Sequence, residues 1–119
     1  MILGNETAIR NVGGISAEEL QRIMDFLQGA VYCWCKNRPE EWFAVRNLMG
    51  GENFNWNDTP LQVLYDKHCS NGLDDEEANK AAGKDCGWIL KRVVNDDRRQ
   101  FETKKEALVR HYKWVELSQ

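Results

Sequence analysis

The longest regular pattern in the chain is an apolar stripe at Leu20, Ile23, Met24, Leu27, Ala30, Val31 and Trp34. Steps of three and four residues place these side chains on one side of a helix. Ser16-Ala17-Glu18-Glu19 precedes the stripe and forms a capping box, in which Ser16 accepts from the first turn and Glu19 reaches back. Pro39 limits the helix downstream, because the residue before a proline avoids helical geometry. The pattern predicts a helix of about 20 residues that ends near Asn37-Arg38 and forms the spine of the core. Residues 1–15 contain three glycines and no period, and read as an N-terminal arm to a single domain over 16–119.

Beyond Pro39 two arrangements fit. Pro39 and Glu40-Glu41 suit the first turn of a helix whose apolar side is Trp42, Val45, Leu48 and Met49. A short strand over Trp42–Val45 followed by one helical turn fits nearly as well. Gly50-Gly51 stop either one, and an Asn-rich loop over Glu52–Asp58 carries Phe54 and Trp56, which are expected to plug into the core. Thr59 is a predicted N-cap with Pro60 at the first helical position, and Leu61, Leu64, Tyr65 and His68 form the inner face of that helix. Asn71-Gly72 ends it.

The next helix is predicted from about Asp75 to Asn95. Its opening run Asp74-Asp75-Glu76-Glu77 suits the positive end of a helix dipole better than a metal or catalytic cluster. Ala78, Ala82, Cys86, Ile89 and Val93 face the core. Lys80, Lys84 and Lys91 fall within about 40° of one another on the opposite side. Gly83 and Gly87 lie beside that stripe, and Trp88 borders it. Glycine inside a helix costs about 1 kcal/mol relative to alanine. Close approach of a ligand backbone, close packing against another helix, or a break near Gly87 would each account for the pair.

The last segment also supports two readings. As a hairpin, Phe101–Thr103 pairs with Val109–Val115, Lys104-Lys105-Glu106 lies near the tip, and Arg110, Tyr112 and Trp114 share one face. As a helix, Thr103–Glu106 is a capping box ahead of a stripe at Ala107, Leu108, His111, Tyr112 and Val115. β-branched and aromatic content favours the hairpin, whereas the absence of an Asn-Gly or Asp-Gly turn weighs against it. The expected fold is therefore mainly α with a small C-terminal β-hairpin, the alternative being an all-α bundle.

Charge changes this picture by locating a surface. Residues 1–78 carry 6 Lys+Arg against 13 Asp+Glu, whereas residues 79–113 carry 10 against 5. The overall net charge of −3 conceals that division. Clustered Lys and Arg favour phosphates or an acidic protein surface. The basic candidates are Lys80, Lys84, Lys91, Arg98, Arg99, Lys104 and Lys105.

The order helix, short segment, helix, basic helix and hairpin with a basic tip resembles the winged helix-turn-helix fold. That resemblance implies that Thr59–Asn71 is the first helix of the turn unit and that Asp75–Asn95 enters the major groove. It also implies that Lys104 and Lys105 touch the DNA backbone. Acidic Asp74–Glu77 departs from the pattern, because it would repel DNA where such helices usually read bases.

Candidate chemistry is sparse. His68 and Cys69 are adjacent and diverge on a helix, and no phosphate loop, nucleophile elbow or zincin motif occurs. Cys33 and Cys35 also diverge, so Cys33, Cys35, His68 and Cys69 do not make a zinc knuckle. The opening Met1-Ile-Leu-Gly-Asn-Glu lacks the pattern of an export signal, and the cysteines read as free thiols of a cytoplasmic protein. The expectation is a non-catalytic binding module with no cofactor, no metal and no membrane partner. Double-stranded DNA is its first candidate partner. The alternative is a protein partner or homodimer, anchored by Trp88 and Trp56.

Overall fold

The computed structural model describes residues 1–4, 8–50 and 55–115. The first helix, α1, spans Ala17–Asn37, and the capping box is formed: Glu19 N donates to Ser16 Oγ at 3.0 Å and Ser16 N to Glu19 Oε1 at 2.8 Å. Ile23, Leu27, Val31 and Cys35 are its buried line. Each of the first three contributes about 1.5–3 kcal/mol through burial, so Leu27→Ala is the change that would most directly open the core.

Glu40 has a φ of 67°, and no helix starts at Pro39. Phe43 instead forms a two-way bridge with Tyr112, each N–H donating to the other's carbonyl at 2.8 Å. One helical turn, α2, follows over Val45–Leu48. The strand-then-turn arrangement is the one adopted. Trp56 plugs into the core as expected of its loop, while Phe54 lies outside the described residues. Helix α3 spans Gln62–Ser70 and starts two residues later than Pro60 would set it. Thr59 caps the turn leading into it, its Oγ1 accepting from Leu61 N at 3.2 Å.

Helix α4 spans Asp75–Asp96, unbroken, with Asp74 as N-cap. It packs against both α1 and α3, and all five of its predicted inward residues are buried, along with Leu90 and Val94. Strands β1 (Gln100–Glu106) and β2 (Val109–Val115) form an antiparallel hairpin, so the all-α alternative does not hold. Phe101 pairs with Trp114, Thr103 with Tyr112 and Lys105 with Arg110. Alternation sets these six on one face, whose base carries the buried Phe101 and Tyr112. Ile2 adds a parallel bridge to Phe101 on the free edge of β1. The hairpin is thus flanked by Phe43 on one edge and the arm on the other, which leaves less open edge. Phe43 sits at the centre of the aromatic core, with ring centroids 5.8 Å from Trp34, 6.2 Å from Phe101 and 5.9 Å from Tyr112. Among the described residues no helix is long and apolar enough to cross a membrane.

Candidate nucleic-acid interface

The outer face of α4 is only partly the open lysine stripe that its periodicity implies. Lys80 is exposed and pairs with Glu76 at 3.4 Å, one turn back. Lys84 is exposed and makes no ion pair among the described residues. A Cβ added at Gly83 or at Gly87 would meet nothing within 4 Å. Neither close packing nor a helix break therefore accounts for the two glycines; they leave a strip of helix surface with open space above it.

Lys91 departs from the expected stripe. It is 6% exposed, its ammonium 5.3 Å from the Trp88 ring centroid, and Arg10 of the arm lies over the same ring at 4.8 Å. Helical periodicity places Lys91 with Lys80 and Lys84, but the arm, which has no periodicity of its own, packs against that end of the helix. Trp88 is correspondingly half-buried between two cations and is not a free anchor. Trp56 is not one either: it is 8% exposed and donates from Nε1 to Asn79 Oδ1 at 2.6 Å.

After α4 the two arginines part company. Arg98 is exposed. Arg99 reaches both oxygens of Asp97, at 3.3 and 3.2 Å, and its guanidinium lies 4.5 Å from the Tyr32 ring and 5.6 Å from that of Trp114. The Asp97 side chain, 2% exposed, also accepts from Gln28 Nε2 and from Arg99 N, both at 2.8 Å. Arg99 thus compensates a buried carboxylate and ties α1 to the hairpin base.

The hairpin turn falls at Ala107-Leu108, so Lys104 and Lys105 lie on β1 just before it and not at the apex. Lys104 pairs with Glu106 at 3.1 Å, and Lys105 makes no ion pair among the described residues. On the outer face the Trp42 ring receives two ammonium groups, Lys104 at 4.4 Å and Lys113 at 5.1 Å. Lys113 also meets Glu102 at 3.7 Å. Trp42 and Lys113 were not among the sequence candidates. The signal for them was alternation: with Phe43 facing inward on an extended segment, Trp42 must face outward.

The remaining polar groups tie elements together. Asp85 Oδ2 accepts from Lys67 Nζ at 2.8 Å and meets His68 Nε2 at 2.7 Å, linking α3 to α4. Lys67 also donates to Gly13 O at 2.6 Å, which holds the arm. The Tyr65 hydroxyl donates to Asp75, and that bond pushes its pKa up. Burial raises the Cys86 thiol to about 12 and the Cys35 thiol to about 11, while Cys33 and Cys69 are exposed. Among the described residues no group of His, Cys, Asp and Glu side chains could hold a metal ion.

No protein-family model, no curated protein and no solved structure matches the chain.

Proposed function

We propose that this chain is a DNA-binding module that engages the phosphate backbone through the open side of α4 and the cationic end of the hairpin. The observation that carries the reading is the vacant strip over Gly83 and Gly87, flanked by the exposed Lys80 and Lys84. A phosphate backbone can approach a helix closely where no side chain intervenes. Arg98, Lys104 and Lys105 extend the set to five exposed cations, with Lys91 and Arg99 removed from it by their own packing. The winged-helix resemblance adds only the order of elements, helices followed by a C-terminal hairpin, to this reading. Exposed Asp74–Glu77 at the N-terminus of α4 disfavours that end as a base reader and favours contact along the helix middle, independent of base sequence.

The test is fluorescence anisotropy of a labelled random duplex. Five neutralised phosphates give a slope of log affinity against log salt of about −4.5, a loss of roughly 500-fold between about 50 and 200 mM salt. Lys84→Glu should weaken binding and flatten that slope by about one charge. Absence of binding at the lower salt, or an unchanged affinity for Lys84→Glu combined with Lys105→Glu, overturns the reading.

One feature favours protein association as the second reading. A groove of about 390 Å³ lined by Phe26, Ala30, Cys33, Leu48 and Met49 is mostly apolar, and Phe26 is 37% exposed at it. Concentration-dependent sedimentation that Phe26→Glu abolishes would support self-association through this groove; a strict monomer would count against that route.

A further inference from the structure

The hairpin end departs from local preference in three ways at once. Its two-residue turn is Ala107-Leu108, with φ values of 50° and 66°. Both residues are in the left-handed region, where a side chain costs roughly 1–2 kcal/mol per residue and where Asn-Gly is the preferred pair. Leu108 is 89% exposed, against 48% for Met1, the next most exposed of the large apolar side chains described. Lys105 and Arg110 are direct cross-strand partners on one face, like charges set opposite each other while Arg110 also donates to Thr103 Oγ1 at 3.4 Å. Among the described residues no side chain covers Leu108. Local choices that contradict the fold concentrate where function requires them.

We propose that Leu108 is an apolar wedge for duplex DNA. The end of the hairpin enters the minor groove, Lys105 and Arg110 engage phosphates of the flanking strands, and the Leu108 side chain inserts between two base pairs and kinks the duplex. The inference rests on the DNA-binding reading above and assigns a further activity to it, the bending of the bound DNA. The complementarity is chemical. Stacked base pairs offer an apolar slot bordered on both sides by anionic strands, and the hairpin end presents an apolar tip just beyond paired cations. A two-stranded ribbon is narrow enough at its turn to reach into a groove, and leucine is among the side chains that act as such wedges. The left-handed turn holds the Leu108 backbone at the apex, so the side chain is directed outward before any ligand is met.

The experiment uses the full chain and a duplex of about 30 base pairs with dyes at its ends and 2-aminopurine at a central TA step, which unstacks readily. The wild type should shorten the end-to-end distance by an amount equivalent to a bend of about 20–90° and raise the 2-aminopurine fluorescence. The variant A107N/L108G supplies the preferred turn pair. It should melt at a higher temperature, bind with the same salt slope, and give neither the bend nor the fluorescence rise. Leu108→Phe should retain both signals. Wild-type binding without a bend or unstacking overturns the wedge alone. A double variant that bends DNA like the wild type does the same, and a double variant that melts lower refutes the strain argument. Absence of wild-type binding at low salt overturns the DNA reading as well, so the two failures are distinguishable.

Discussion

Gly83→Ala combined with Gly87→Ala separates the fold requirement of α4 from its proposed ligand contact, because the two effects have opposite signs. Both glycines are within an unbroken helix, neither has a positive φ, and a Cβ at either would meet no atom within 4 Å. Nothing in the folded chain therefore opposes alanine. Each replacement restricts the unfolded chain and improves helix propensity by about 0.8–1.0 kcal/mol, or about 2 kcal/mol for the pair. For 119 residues, at about 2.1 cal/mol/K of unfolding entropy per residue, that corresponds to a rise in Tm of about 8 °C. Calorimetry or thermal circular dichroism measures it. The same two methyl groups occupy the strip that a phosphate backbone would approach, so duplex affinity at low salt should fall by about tenfold, equivalent to 1.4 kcal/mol. A lower melting temperature would refute the description of this face as open and uncrowded. A higher melting temperature with unchanged DNA affinity would refute close approach of the ligand to the glycines, and the function proposed for this face would lose its principal support.

Four further outcomes follow from burial. Tyr112 is 1% exposed and its hydroxyl finds no hydrogen-bond partner among the described residues, so Tyr112→Phe should be neutral or stabilise by up to about 1 kcal/mol in urea unfolding. A clear loss of stability would mean that the hydroxyl is satisfied. Asp97→Ala leaves the Arg99 guanidinium without its carboxylate and should cost about 2–4 kcal/mol, toward the lower side for a buried pair because Arg99 is partly exposed and can rehydrate; a change below 0.5 kcal/mol would refute this. Cys86 ionises near 9 when unfolded and is raised to about 12 by burial in the fold, so the unfolded chain loses this proton first. Stability linked to it is complete below pH 9 and declines as pH rises toward 12, and Cys86→Ala should reduce that alkaline slope. In the native protein Cys33 and Cys69 should react with a thiol reagent while Cys35 and Cys86 do not; modification of all four before unfolding would contradict their burial.

Short-range information defined the long helices and favoured the hairpin over a C-terminal helix, while it left two arrangements open after Pro39. The Ser16–Glu19 box and the stripe from Leu20 to Trp34 specify α1, because a cap and a 3.6-residue period act among neighbours in sequence. The inward line of α4 follows from the same geometry, and the β-branched and aromatic composition of 109–115 outweighed an unfavourable turn pair. Even so, the helix onset after Pro60 shifted by two residues and the turn moved to Ala107-Leu108, since boundaries depend on single hydrogen bonds. Of the candidate surface, Lys80 and Lys84 were legible from helix phase, and Lys104 falls on the strand face opposite Phe101; Arg98 and Lys105 are exposed because one lies past the end of α4 and the other beyond the packed base of the hairpin. The rest was decided by segments distant in sequence. Ile2 and Phe43 flank the hairpin, Arg10 lies over Trp88 beside the buried Lys91, Gln28 reaches Asp97, and Lys104 and Lys113 converge on Trp42. Each is a single contact between elements with no shared period, and its free energy exists only once both elements are folded and brought together. Local pattern thus determined which elements form and which way they face. The tertiary structure determined which charges remain available on the surface and which are consumed in holding it together.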